Sequence, residues 1–206
     1  MSDGWLMHDG YRMIPVLIPT SNGMAIPDTI VQVHTALMVL GYDMMMRVTD
    51  AGGGVFAGRT KSLMDTIPRC NELNIEVREK NRYRVLWIDS DIKTEIDAAK
   101  IAEILKEADD RKLNVFGEYA RADGESAFTR DDWNVPDAMP APYYKRMASG
   151  GLGFAYVFSP LNYPFKFEGT LGEDADYENR VLERPLYIDT RIILGHLKNR
   201  IVHLKD

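Results

Sequence analysis

Two carboxylates separated by one residue, Asp89 and Asp91, close the stretch RVLWIDSD. The run before them, Val85 to Ile88, is unbroken apolar sequence of the kind carried by a strand buried on both faces. On a strand, residues two apart share a face, which would set the two Cα atoms about 7 Å apart. Held together in partly shielded surroundings, the carboxylates would repel by about 2 kcal/mol at an effective dielectric near 20. A divalent cation offsets that repulsion, and hard oxygen ligands select Mg²⁺ or Mn²⁺. A structural role suits the same residues: Asp89 can cap a turn, and Asp91 or nearby Thr94 can cap the next helix.

Two other motifs compete for this region. Haloacid-dehalogenase phosphatases also end an apolar strand in Asp-x-Asp, but they carry Thr or Val two residues further on, where this chain has Lys93. They also place the pair on the first strand. GGVFAGRT, Gly53 to Thr60, has P-loop spacing, with Arg59 in place of the lysine that reaches the β- and γ-phosphates. A turn leading into a helix that carries Arg59 accounts for that stretch more simply.

The elements that must position the carboxylates can be read along the chain. Met13 to Thr20 reads as a buried strand closed by SNG. Pro27 suits a first helical position, and Ile30, Val33, Leu37 and Leu40 recur at helical spacing until Gly41. Tyr42 to Asp50 reads as a second strand, and Arg59 to Leu73 as a helix bent or ended near Pro68. RYRVLWIDSD is the third strand, KTEIDAAKIAEILKEADDRK the clearest helix, and NVFGEYARA a fourth strand. Strands alternating with helices predict an α/β domain with a mostly parallel central sheet and helices on both faces. Residues 123–142, with Trp133 and three prolines, read as a long mobile loop over a site. Beyond it come the strand GGLGFAYVFS, a helix around Ala175 to Glu183, the short strand LYIDT and a tail.

The chain has 206 residues, 45% hydrophobic, enough for a sizeable core in one domain. Its net charge of −6 argues against a nucleic-acid coat or a polybasic membrane anchor. Cys70, the single cysteine, excludes an intramolecular disulfide and a multi-cysteine zinc site, and fits a reducing compartment. MSDGWLMHDGYRM lacks the apolar core of a signal peptide, and no run reaches the about 18 apolar residues of a membrane span. The expectation is a soluble cytoplasmic protein.

Further along stand GGLGFAYV and PFKFEGTLGEDADYENRVLERPLYIDTRIILGHLK. An apolar strand ending in Asp-x-Asp, a glycine-plus-aromatic strand, Gly-Glu-Asp opening a helix, then a short strand and Gly-His resembles the GT-A glycosyltransferases. The order and spacing match over residues 13–198, and the compact size is similar to the small GT-A enzymes of archaeal viruses. The resemblance implies a single GT-A-like domain, with residues 13–122 binding the nucleotide-sugar and 143–206 forming the acceptor and catalytic half. A viral enzyme of this kind would work in the host cytoplasm.

The resemblance also implies roles. Asp91 looks like the direct metal ligand, joined by His196, with Asp89 assisting and facing the donor's ribose or sugar. Thr20 and Asp50 fall where these enzymes hold the nucleoside, and Arg59 resembles the basic residue touching nucleotide or phosphate at the head of a helix. Asp174 fits the base that deprotonates the acceptor hydroxyl, with Glu173 beside it, and Gly151, Leu152, Gly153 and Phe154 would line the acceptor side. The implied cofactor is Mn²⁺ or Mg²⁺. The implied donor is a UDP- or GDP-linked sugar, and the acceptor a sugar, lipid or protein hydroxyl, with peripheral membrane contact allowed for. The Gly-Glu-Asp element leans towards inversion at the anomeric carbon. Each residue has a plainer role open to it: His196 on the surface after a strand, Glu173 and Asp174 as first-turn acids, Arg59 on a solvated helix face. Tyr143, Tyr144, Tyr163, Phe165 and Phe167 suit a sugar site or a core, and His8, His34 and His203 read as structural. Two other activities stay open: a nucleotidyltransferase, although SNGMAIP lacks the basic residue its glycine loop wants, and a non-catalytic nucleotide-sugar-binding protein.

Overall fold

The computed structural model describes residues 4–20, 25–50, 55–78, 80–120, 133–134, 143–146, 151–165, 177–178, 180–184 and 186–196. The first long strand is β2 (Tyr11–Thr20), buried without a break from Met13 to Thr20, as its branched apolar sequence requires. Helix α1 (Pro27–Val39) carries the chain back to β3 (Tyr42–Asp50). Pro27 supplies a preset φ at the helix start, and Gly41, at φ +71°, makes the left-handed exit that a side chain would resist. β3 lies parallel to β2 in unbroken register from Arg12–Tyr42 to Thr20–Asp50.

One bent helix was expected over Arg59 to Leu73; two form. α2 (Val55–Met64) starts earlier and gives way at Asp65 to α3 (Thr66–Glu72). Pro68 does not cause the break. It sits in the first turn of α3, where a missing N–H costs nothing. The GGVFAGRT stretch is helical from Val55, so it offers no phosphate loop from there on.

β4 (Tyr83–Ile88) returns parallel to β2 on the side opposite β3 and is fully buried. Then come β5 (Ile92–Thr94), α4 (Ala98–Asp110), β6 (Asn114–Ala120), β7 (Trp133–Asn134), β8 (Tyr143–Arg146), β9 (Phe154–Ser159) and β10 (Leu186–His196). Near the amino end, β1 (Leu6–His8) pairs antiparallel with β2. The strand order is β1-β2-β4-β9-β6-β10-β8-β7, with β3 outside β2 and β5 on β10.

The α/β class and the helices on both faces are as the sequence implies; the mostly parallel sheet is not. Among the described residues only β2–β3, β2–β4 and β6–β10 are parallel pairs. β9 runs antiparallel between β4 and β6, and the remaining pairs are antiparallel too. A run of apolar residues marks a strand buried on both faces but carries no direction; β9 shows that an antiparallel strand can be as buried as its parallel neighbours. LYIDT is likewise the start of an 11-residue strand, β10, whose register on β6 shifts between Asp189 and Ile193.

Alternation along β4 divides the core. Leu86 and Ile88 join Val16, Ile18 and the apolar faces of α1 and α4, while Val85 and Trp87 join Leu17, Met45, Leu63 and Cys70. Near the amino end of β4 the fully buried Arg84 donates to Asp109 Oδ1 at 2.8 Å and to the carbonyls of Leu113 and Ala108. Tyr42 and Tyr156 hydroxyls both donate to Asp109 Oδ2 at 3.0 Å. Burial pushes the Asp109 carboxyl above its ordinary range, while Arg84 and the two hydroxyls pull it back. No helix among the described residues is long and apolar enough to cross a membrane.

A candidate carboxylate site at the strand ends

Three parallel strands finish side by side. Thr20 and Asp50 are register partners at the ends of β2 and β3, and continuing the Leu17–Trp87 register sets Asp89 level with Pro19. Thr20 is 2% exposed and Asp50 is exposed. This carboxyl-terminal edge is where an open α/β sheet offers a crevice to ligands.

Asp89, Ser90 and Asp91 do not continue the strand. β4 stops at Ile88, and Ile92 N donates to Asp89 O at 3.1 Å, closing a turn. The alternation of a pleat therefore does not hold the two carboxylates; the turn does. Asp89 N donates to Gly153 O at 2.8 Å, tying the turn to the chain entering β9. The helix cap expected of Asp91 or Thr94 belongs to neither: Asp97 Oδ1 accepts from Lys100 N at 2.8 Å to start α4.

Beyond the turn, β5 is fixed on two sides. Thr29 of α1, 1% exposed, donates to Ile92 O at 3.0 Å and accepts from Thr94 N at 3.3 Å. On the other side β5 pairs antiparallel with the end of β10, Ile92 with His196, Lys93 with Gly195 and Thr94 with Leu194. The backbone of the Gly-His pair thus lies beside the residue that follows Asp91. The His196 side chain lies outside the described residues.

Arg59 enters from α2, one turn inside the helix rather than at its head and 1% exposed. It is not a solvated helix residue. Its Nη2 donates to Asp89 Oδ1 at 3.0 Å, and its guanidinium lies 5.5 Å from the Trp87 ring. A buried guanidinium needs a counter-charge, and Asp89 supplies it. Asp89 Oδ2 accepts no hydrogen bond among the described residues, so one oxygen of this carboxylate is available to a cation or hydroxyl. Arg59 reaches the strand-end surface through Asp89.

Of the acceptor-side residues, Leu152 and Phe154 are core side chains, 0% and 1% exposed, on opposite faces of the sheet. Phe154 therefore has no ring face to stack on a sugar. Gly153 contributes its carbonyl to Asp89, and Gly151 is half-buried. Phe165 stacks on Tyr177 at 4.9 Å, and both meet Trp87 edge-on, so these aromatics pack the core. Tyr163 joins them. Glu173, Asp174 and Phe167, the loop residues 123–132 and 135–142, and the side chains of Tyr143 and Tyr144 lie outside the described residues.

Among the described residues no group of three or more metal-ligating side chains stands together. Asp89 and Asp91 offer the hard oxygens a divalent cation takes. A cavity of about 280 Å³ opens at the opposite, amino end of the sheet, between Trp5, Arg82, Asp109, Phe158 and Arg184. Two residues fix the turn: Thr29, which sequence reading passed over, and Gly153, which it set on the acceptor side. One is a threonine in the first turn of a helix and the other acts through its carbonyl, and neither leaves a pattern in sequence. No protein-family model matches the chain, and a comparison with curated proteins finds no match.

Proposed function

We propose that the chain is a metal-dependent glycosyltransferase that moves a sugar from a nucleoside-diphosphate sugar to a hydroxyl acceptor. The observation supporting this reading is the pairing of His196 with Ile92, which brings the backbone of a distant Gly-His element beside the Asp-x-Asp turn. Asp91, Asp89 and His196 would hold Mn²⁺ or Mg²⁺, with Asp89 keeping one oxygen on Arg59. When bound, the cation supplies Lewis-acid stabilisation to a diphosphate leaving group. Thr20 and Asp50, at the neighbouring strand ends, would receive the nucleoside. Asp174 would take the acceptor's proton, a role that typically contributes about 10²–10⁴-fold, with Glu173 holding the acceptor.

Incubation with Mn²⁺ and a panel of UDP- and GDP-sugars tests the reading. Slow, metal-dependent release of nucleoside diphosphate and free sugar is the expected result. Conversion of the nucleotide-sugar by added pyrophosphate to nucleoside triphosphate and sugar 1-phosphate would instead indicate nucleotidyl transfer, and binding without turnover across an acceptor screen would indicate a binding protein. Asp174→Asn should keep donor affinity and lose transfer; near-normal turnover would put the base elsewhere.

A further inference from the structure

β3 is a sheet edge, and an unusual one. It is nine residues long, paired with β2 throughout, and among the described residues no strand lies on its other side. Edges of this length are normally blunted by proline, lysine or a bulge. YDMMMRVTD contains neither residue, and its register has no break. Met46 and Val48 on this strand are 45% and 44% exposed. Helix α1, which packs on β3, exposes Val31, Met38 and Val39 at 61%, 63% and 68%. A depression of about 160 Å³ follows the same edge, lined in part by Met45, Arg47, Arg69 and Leu73.

The sequence of this edge is complementary to itself. Reading outwards from Met45, Met44 mirrors Met46, Asp43 mirrors Arg47, and Tyr42 mirrors Val48. We propose that β3 pairs antiparallel with β3 of a second copy about a two-fold axis at Met45, joining two sheets into one. Residues directly opposite across an antiparallel pair share a face. In this register Asp43 meets Arg47 of the other copy twice over on one face. Tyr42, Met44, Met46 and Val48 form an apolar row on the other, which is the self-complementarity an isologous dimer requires. Sliding the dyad by one position either way removes both charge pairs. Arg47 makes no ion pair among the described residues, and Asp43 has only His8 Nδ1 at 4.0 Å, so both charges remain to be matched.

Sedimentation velocity of the full chain over a range of concentrations tests this, with far-UV circular dichroism showing that each variant is folded. The wild type should self-associate to a dimer. Asp43→Arg and Arg47→Asp each place like charges opposite one another twice and should weaken association about tenfold or more. The double variant Asp43→Arg/Arg47→Asp restores the pairing in swapped form and should regain the dimer. A wild type that stays monomeric overturns the proposal. So does a dimer indifferent to the single variants, or a double variant no better than either.

Discussion

Arg59 Nη2 donates to Asp89 Oδ1 across 3.0 Å, joining a guanidinium in the core to a carboxylate whose side chain is 29% exposed. The carboxylate that opens the Asp-x-Asp turn is therefore also the charge partner of a core cation. Asp89→Ala should destabilise the protein by removing a counter-charge of the buried Arg59, by less than the about 3–5 kcal/mol of a fully buried pair because Asp89 remains partly hydrated. Asp89→Asn keeps a neutral acceptor and should lose less. Urea denaturation of the two variants checks the order.

Gly117 of β6 is the close-packing point behind the Gly-His element. A Cβ there would stand 2.7 Å from Ile192 Cγ2 and from Leu194 Cδ1. Those side chains precede Gly195 and His196 on β10, Ile192 within its register shift and Leu194 just beyond it. Gly117→Ala should cost about 1–3 kcal/mol through overpacking. Because β10 positions His196 against Ile92, the variant should also weaken metal-dependent nucleotide binding at temperatures where it remains folded. Thermal unfolding and calorimetry read the two effects separately.

The Arg84–Asp109 pair at the other end of β4 has no part in the proposed chemistry and is a stability element. Asp109→Ala would leave a fully buried guanidinium with only carbonyl acceptors and remove the acceptor of two tyrosine hydroxyls. The expected loss is about 3–5 kcal/mol, measured by chemical denaturation, with nucleotide binding intact in the folded fraction.

Burial pushes the Cys70 thiol up from 9.0 to about 11. The unfolded thiol ionises first, so its contribution to stability is complete below pH about 9 and is lost as pH rises towards 11, by at most about 1.4 kcal/mol per pH unit. Cys70 is fully buried, and a thiol reagent at pH 8 should label it only on unfolding. A Cys70→Ser variant should lack this part of the alkaline slope.

Much of the scaffold was legible because hydrophobic periodicity is local. β3, α1 and the core of β4 fall where their patterns place them. Strand direction was not legible: β9 is as apolar as a parallel strand, and only its pairing partners reveal that it runs the other way. The Asp-x-Asp pair was found, but its geometry was misread, because nothing in RVLWIDSD says that pairing stops at Ile88. Arg59 was singled out by the resemblance as a nucleotide or phosphate contact, and one charged residue in a helix gives no sign that it turns inwards to Asp89. The two devices that fix the turn, Thr29 on Ile92 and Gly153 on Asp89, join residues far apart in sequence and carry no local pattern.

The central claim is that Asp91 anchors a divalent cation carrying a nucleoside diphosphate. Titration calorimetry of UDP and GDP, with Mn²⁺ and then with excess chelator, tests it most directly on the wild type and Asp91→Ala. The account predicts that at least one nucleotide binds the wild type only with Mn²⁺, and that Asp91→Ala abolishes this binding while remaining folded. Equal metal-dependent affinity in the variant, or wild-type binding unaffected by the chelator, would contradict it.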